Sequence, residues 1–221
     1  MIINTDAIVL HRMKYKNSGL IARIFTKEHG KISIIVNGAS KQKGNMFGVL
    51  EPPNIIKLNY YQKKTGTLQI CKEASFISNN LNIKTDLMKL SVSLTVVEII
   101  DKTLHENDVN NEIYECARKI IDMLDGDRNN PQILLSYFLL NMITELGFKP
   151  DLNNNNTEIS NILKIILRQL DEAPNYDFSY FNNSDIEWMD IIIFLENYIQ
   201  EHLKLTQKFK SLDMIRNIAY E

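Results

Sequence analysis

Two cysteines in 221 residues, Cys71 and Cys116, are too few for a disulfide framework and stand without partners at metal-ligand spacing. Both are expected as buried thiols in a reducing compartment. No run of about 18 apolar residues occurs, which excludes a membrane-spanning helix. The opening MIINTDAIVLHRM lacks a basic start, a long apolar block and a small-residue cleavage site, so no secretory leader is expected. Asn155 and Asn182 open N-x-[ST] triplets, read as chance matches in an Asn-rich cytoplasmic chain. The four histidines, His11, His29, His105 and His202, never pair at ligand spacing. Neither GxxxxGK[ST] nor GxGxxG is present. The run DGDRNN from Asp125 lacks the sixth-position glycine of a calcium loop and carries Ser136 where the bidentate glutamate belongs. No nucleophile stands beside a base. The chain is therefore read as a non-enzyme that needs no cofactor and no metal.

What is there begins with charge. The net of −2 conceals a division along the chain. Residues 1–80 hold 12 Lys and Arg against 4 Asp and Glu, a net of +8, and residues 81–221 hold 13 against 23, a net of −10. Such asymmetry points to a nucleic-acid-facing first part and an acidic remainder. Long solvated helix faces rich in Glu and Asp also produce it.

Hydrophobic periodicity divides the chain at the same place. Strands are expected over AIVLHRMKY (Ala7 to Tyr15), GLIARIFT, KISIIV, NIIKLNYYQ (Asn54 to Gln62) and TLQICKEASFI, with Gly-marked turns between them. Ile8 and Leu10 fall on one face of the first strand and Val9 on the other. In the second, Leu20, Ala22 and Ile24 oppose Ile21, Arg23 and Phe25. Five short strands in about 75 residues suit a small barrel; the oligonucleotide-binding barrel is one such fold among others. From Thr85 the period becomes helical. Asn110 or Asn111 caps a helix over NEIYECARKIIDML, and Asn130-Pro131 opens PQILLSYFLLNMITEL, which stops at Gly147. Apolar nearly all round, that helix belongs at the centre of a helical domain. Ser184-x-x-Glu187 reads as a capping box before a helix to about Leu203, and a last short helix follows Ser211. The fold class is α+β in two domains: residues 1–80 a five-stranded barrel, residues 81–221 all helical.

Between the third and fourth strands lies VNGASKQKGN, Val36 to Asn45, a Gly-flanked loop carrying Lys41 and Lys43. Ammonium groups on such a loop can follow phosphates without fixed geometry. Arg12, Lys14 and Lys16 extend the positive charge along the first strand. These five side chains are the candidate nucleic-acid contacts. Tyr15, Phe47, Tyr60 and Tyr61 lie nearby in sequence; each is either barrel core or a ring exposed for base stacking.

The segment from Ala7 to Tyr61 resembles the N-terminal half of the bacterial RecO family of DNA repair proteins. The resemblance rests on a first strand ending in basic residues, the turn T-x-E-x-G (Thr26, Glu28, Gly30), Gly38-Ala39 before the basic stretch, Leu50-Glu51-Pro52, and a strand ending in Tyr. LLNMITELGFKPDL (Leu139 to Leu152) and FKSLDMI (Phe209 to Ile215) extend it into the second half. It implies an N-terminal oligonucleotide-binding (OB) barrel and a helical domain. It implies a non-enzymatic mediator of recombinational repair, located in the cytoplasm at the nucleoid, that binds single- and double-stranded DNA and anneals complementary strands. The implied partners are RecR, the C-terminal tail of single-stranded-DNA-binding protein and, indirectly, RecA. Two departures stand out. Where many members carry a four-cysteine zinc site, this chain reads NNNNTEIS, Asn153 to Ser160, so no zinc is expected. The basic loop holds two lysines in place of a denser cluster. A helical protein-interaction adaptor and an RNA-binding barrel protein are the competing readings.

Overall fold

The computed structural model describes residues 1–17, 19–37, 46–63, 67–78, 80–126, 129–153, 159–181 and 186–219. Five strands come first: β1 (Ile2–Tyr15), β2 (Gly19–Thr26), β3 (Gly30–Val36), β4 (Ile55–Tyr61) and β5 (Leu68–Ser78). They close into a barrel in the order β1-β2-β3-β5-β4, with only β3 and β5 parallel. A four-residue helix, α1 (Met46–Val49), precedes β4 and places Met46 and Val49 in the barrel core. Thus the α+β reading holds, and the small barrel is the OB type.

The alternation read from the sequence decides which side chains enter the barrel. Val9, Leu20, Ala22, Ile24, Ile34, Leu58 and Tyr60 fill its interior. Ile8, Leu10, Phe25 and Ile55 point the opposite way, into the core of the helical domain. The strand β1 is longer than expected because Ile2 to Asp6 pair with β4 before Ala7 begins to pair with β2.

The helices are α2 (Leu87–Thr103), α3 (Asn111–Asp125), α4 (Pro131–Glu145), α5 (Asn161–Asp171), α6 (Trp188–His202) and α7 (Lys210–Ala219). Asn110, rather than Asn111, caps α3, its side chain accepting from Ile113 N at 2.9 Å. Asn130 caps α4 by accepting from Gln132 N at 2.9 Å, with Pro131 in the first turn. As its uninterrupted apolar sequence requires, α4 is central and packs against α2, α3, α5 and α6. Two sequence expectations need correction. The helix α5, capped by Ser160, follows the Asn-rich stretch where no helix was expected. Glu187 does not complete a capping box: it occupies the cap position of α6 itself and makes no side-chain capping bond, and Ser184 lies outside the described residues.

The barrel and the helical domain are joined through one exterior row of the sheet. Ile8 pairs directly with Ile55 on one side and Phe25 on the other, and all three are fully buried. Burying each stabilises the junction by about 2 kcal/mol. Phe25 also meets Tyr114 of α3 edge to face at 5.7 Å between ring centres. At the β2–β3 turn the amide of Asn107 donates to Lys31 O at 2.8 Å.

Candidate nucleic-acid interface

The excess positive charge of residues 1–80 is not one free basic face. Arg23 reaches Asp101 of α2 at 2.5 Å, and Lys31 donates to the Asp101 carbonyl at 2.6 Å. Lys27 meets Glu115 of α3 at 2.7 Å. Lys57 meets Asp6 at 2.8 Å, and the same carboxylate takes Arg118 at 3.4 Å. Burial pushes the Lys31 ammonium below the usual lysine range while Asp101 works in the opposite direction. Part of the charge division between the two halves is therefore used where they meet. Among the described residues, four barrel lysines have no carboxylate partner: Lys14, Lys16, Lys63 and Lys72. All four are exposed.

Arg12, Lys14 and Lys16 are arranged by an irregularity in β1. Val9 pairs with Ile24 but His11 with Arg23, so Leu10 is an extra residue and the facing of the strand reverses after it. Beyond this bulge Arg12 and Lys14 lie opposite the inward-facing Ala22 and Leu20, and Met13 lies opposite Ile21 on the outside. Arg12 turns to α1. It donates to Phe47 O and to Glu51 Oε1, the latter at 2.9 Å. Its guanidinium thus clasps the segment that leads from α1 into β4. Lys14 stays exposed near the strand end. Lys16, in the β1–β2 connection at φ +51, lies over the Tyr15 ring at 5.2 Å. Lys41 and Lys43 fall outside the described residues.

Sequence reasoning did not single out Lys63 and Lys72. Lys63 opens the β4–β5 connection, its backbone amide held by Gln69 Oε1 at 2.8 Å. Lys72 sits at a second bulge, where Tyr60 pairs with Cys71 but Asn59 with Glu73. Their one visible signal was position, at the end of NIIKLNYYQ and one residue after Cys71. In OB barrels the face of strands 2 and 3 and the 1–2 and 4–5 loops take oligonucleotides. Lys16 and Lys63 stand in those two connections.

The rings divide clearly. Tyr60 is core, 1% exposed, with its hydroxyl pushed above the usual range by burial. Phe47 packs against the barrel core, and Tyr15 is half-buried. Tyr61 is 43% exposed. It belongs to a second exterior row traced by direct cross-strand pairs: Ile2 to Tyr61, Tyr61 to Ile70, Ile70 to Ile35, Ile35 to Ile21 and Ile21 to Met13. Unlike the Ile8 row, this one is not covered by the described helices. Ile2 is 50% and Met13 54% exposed, and the other three are half-buried.

The two free thiols lie in separate cores, Cys71 in the barrel and Cys116 in the helical domain. Burial pushes each up to about 12, which leaves both as inert apolar groups. Among the described residues no three His, Cys, Asp or Glu side chains gather as a metal site, and residues 154–158 of the Asn-rich stretch lie outside them. No described helix is long and apolar enough to cross a membrane.

Residues 1–80 match the family model described as Recombination protein O N terminal, and residues 84–163 match Recombination protein O C terminal. The chain belongs to the recombination protein O family. Similar relatives carry the name DNA repair protein RecO. One from Chlorobium limicola is 26% identical over 153 residues, covering 69% of this chain and 59% of the relative. One from Pelodictyon phaeoclathratiforme is 27% identical over 152 residues, 69% and 58% of the two chains. One from Thermoanaerobacter sp. is 28% identical over 153 residues, 69% and 61%. The matched segments thus span about three-fifths of the curated relatives' length. The family's N-terminal match coincides with the barrel that carries the unpaired lysines, and its C-terminal match runs from α2 into the start of α5.

Proposed function

We propose that this protein is a mediator of recombinational DNA repair whose barrel binds DNA and brings complementary strands together. In this reading residues 1–80 form the DNA-binding unit and residues 81–221 the helical unit that contacts protein partners. The observation that carries it is the placement of carboxylate-free lysines at the β1–β2 and β4–β5 connections of an OB barrel belonging to this family. Lys14, Lys16, Lys63 and Lys72 contact phosphates, together with Lys41 and Lys43 of the Val36–Asn45 loop. Arg12 contributes chiefly by holding the segment that leads from α1 into β4, since its guanidinium is already bonded to Phe47 O and Glu51.

No bond to DNA is made or broken in such a role. Two strands repel through their phosphates, and lysines that displace condensed counterions lower that repulsion. With RecR, the protein would assist loading of RecA onto DNA covered by single-stranded-DNA-binding protein, whose C-terminal tail the helical unit would engage. A cytoplasmic, nucleoid-associated site of action follows from that role.

The test is annealing of two complementary oligonucleotides, alone and coated with single-stranded-DNA-binding protein. Acceleration in both arms is the expected result. A protein that neither binds nor anneals them refutes the reading. Each single-strand phosphate contact contributes about 0.7 to the slope of log affinity against log salt, so six lysines predict a slope near −4.

A further inference from the structure

We propose that the uncovered exterior row, Ile2, Tyr61, Ile70, Ile35, Ile21 and Met13, is the track on which the bases of a single strand lie. This deepens the DNA-binding reading and rests on it. A sheet face in water ordinarily carries polar residues at its outward positions. Here two outward rows are apolar. The row through Ile55, Ile8 and Phe25 is explained by the helical domain that buries it. The second has the same construction, pair by pair across all five strands, and nothing in the described chain covers it.

Its borders select the occupant. Met13 is followed by Lys16, Tyr61 by Lys63, and Ile70 by Lys72, and Lys14, on the other face of β1 from Met13, is exposed at the same strand end. These are the four described barrel lysines without carboxylate partners. An apolar strip edged by free cations fits a polyanion that displays apolar faces, which is what an unpaired nucleic-acid strand is. A duplex offers the phosphates but keeps its base faces stacked inside.

The path has a definite form. Stepping across the barrel from Ile2 through direct pairs returns to β1 at Met13, eleven residues further along the same strand. The row is therefore a spiral that winds once around the barrel and does not close on itself. Five interstrand steps of about 4.8 Å give roughly 24 Å at the backbone. That length suits a few nucleotides, at the lower end of the roughly 4–16 that one OB barrel accommodates.

Aliphatic and tyrosyl side chains grip base faces and leave the hydrogen-bonding edges unused. A complementary strand can then pair with the held bases. Pairing buries their faces in the new duplex and takes them off the row, while the lysines keep only their phosphate contacts. Strand capture, pairing and release thus follow from one surface.

The experiment compares three fluorescent probes with the full chain: an oligothymidine of about fifteen nucleotides, an abasic oligonucleotide of equal length, and a duplex. The expected result is at least about tenfold tighter binding of oligothymidine than of the abasic probe. Met13→Ser, Ile21→Ser and Tyr61→Ser combined should bring oligothymidine down to the abasic level. Salt slope and duplex affinity should not change. Should the triple variant melt early, Met13→Ser and Tyr61→Ser are tested singly, both positions being largely exposed. Equal binding of the abasic probe, or unchanged oligothymidine affinity in the variants, overturns the track. If Lys14→Ala with Lys16→Ala still flattens the salt slope, DNA binding stands without it. Failure of the wild-type chain to bind any of the three probes refutes the DNA reading and this inference together. A row found buried between two copies in solution also overturns it.

Discussion

Gly30 is the residue of the T-x-E-x-G turn whose replacement the structure makes most consequential. It joins β2 to β3 at φ +67, and a Cβ built there would overlap Asp108 O and lie 2.9 Å from Asn107 C. Both neighbours are backbone of the segment after α2, so no side-chain rotation relieves the contact. Gly30→Ala incurs about 1–2 kcal/mol for the left-handed conformation alone. Displacing residues 107 and 108 also breaks the 2.8 Å bond from Asn107 N to Lys31 O, worth about 1 kcal/mol. The total is about 3 kcal/mol. In a chain of this size that lowers the melting temperature by roughly 6–12 °C. Gly147 supplies the control. It ends α4 at φ +83, with Gly147 N bonded to Thr144 O and Phe148 N to Ile143 O, and a Cβ there meets nothing within 4 Å. Gly147→Ala should therefore show the conformational cost by itself, about 1–2 kcal/mol. The difference between the two variants, read by thermal and urea denaturation, measures how closely the barrel approaches the helical domain. Equal losses for the two would refute the close contact as the reason for glycine at position 30.

Three further outcomes are expected. Lys14→Ala with Lys16→Ala should reduce the single-strand salt slope by about 1.4, and adding Lys41→Ala and Lys43→Ala should double that, with melting unchanged in both variants. Arg12→Ala should lower stability by about 1–3 kcal/mol, because Phe47 O and Glu51 lose a charged donor; denaturation carries the main signal, and a variant that melts normally contradicts the clasp. Glu98 of α2 accepts from Lys210 N at 3.0 Å and Ser211 N at 2.9 Å, capping α7, and pairs with Lys102 at 2.8 Å. Burial alone would raise its pKa, but Lys102 and these donors outweigh it and hold the carboxyl below its ordinary range. Its stabilisation is therefore present above the ordinary glutamate pKa of about 4.3 and is lost as pH falls through the lower folded value. Glu98→Gln should melt earlier than wild type at neutral pH, with the gap closing in acid.

How far the molecule was legible from its residues depended on the range of the interaction involved. Period-two alternation in GLIARIFT set Leu20, Ala22 and Ile24 on one face and Phe25 on the other, because a strand has only two faces, and the fold buries the first three in the barrel and Phe25 in the helical core. The caps at Asn110 and Asn130 were legible because capping spans three residues. The helix α5 was not, since its eleven residues follow an Asn-rich run and its cap is a lone serine. Bulges are the clearest limit. Nothing in AIVLHRMKY marks Leu10 as the extra residue, yet that insertion turns Arg12 toward α1 and Met13 toward solvent. The outward apolar residues Ile21 and Ile35 were visible, but only the strand register joins them to Tyr61 and Ile2 in one row.

Charge shows the same limit in a form that changes the functional argument. Counting to +8 treats every cation in residues 1–80 as available to a polyanion. The fold removes Arg23, Lys27 and Lys31 to carboxylates of α2 and α3, and Lys57 and Arg12 to carboxylates beside them in the barrel region. Partly exposed pairs of this kind each contribute at most about 1 kcal/mol to stability, so their larger effect is on where positive potential remains. Among the described residues, what remains is concentrated at the ends of strands: Lys14 and Lys16 after Met13, Lys63 after Tyr61, and Lys72 after Ile70 and Cys71. A diffuse positive half would bind any polyanion over its whole surface. On the proposed reading, lysines at the borders of a single apolar spiral would instead fix the path a strand takes, so that the distribution of charge, more than its sum, would distinguish an unpaired strand from a duplex.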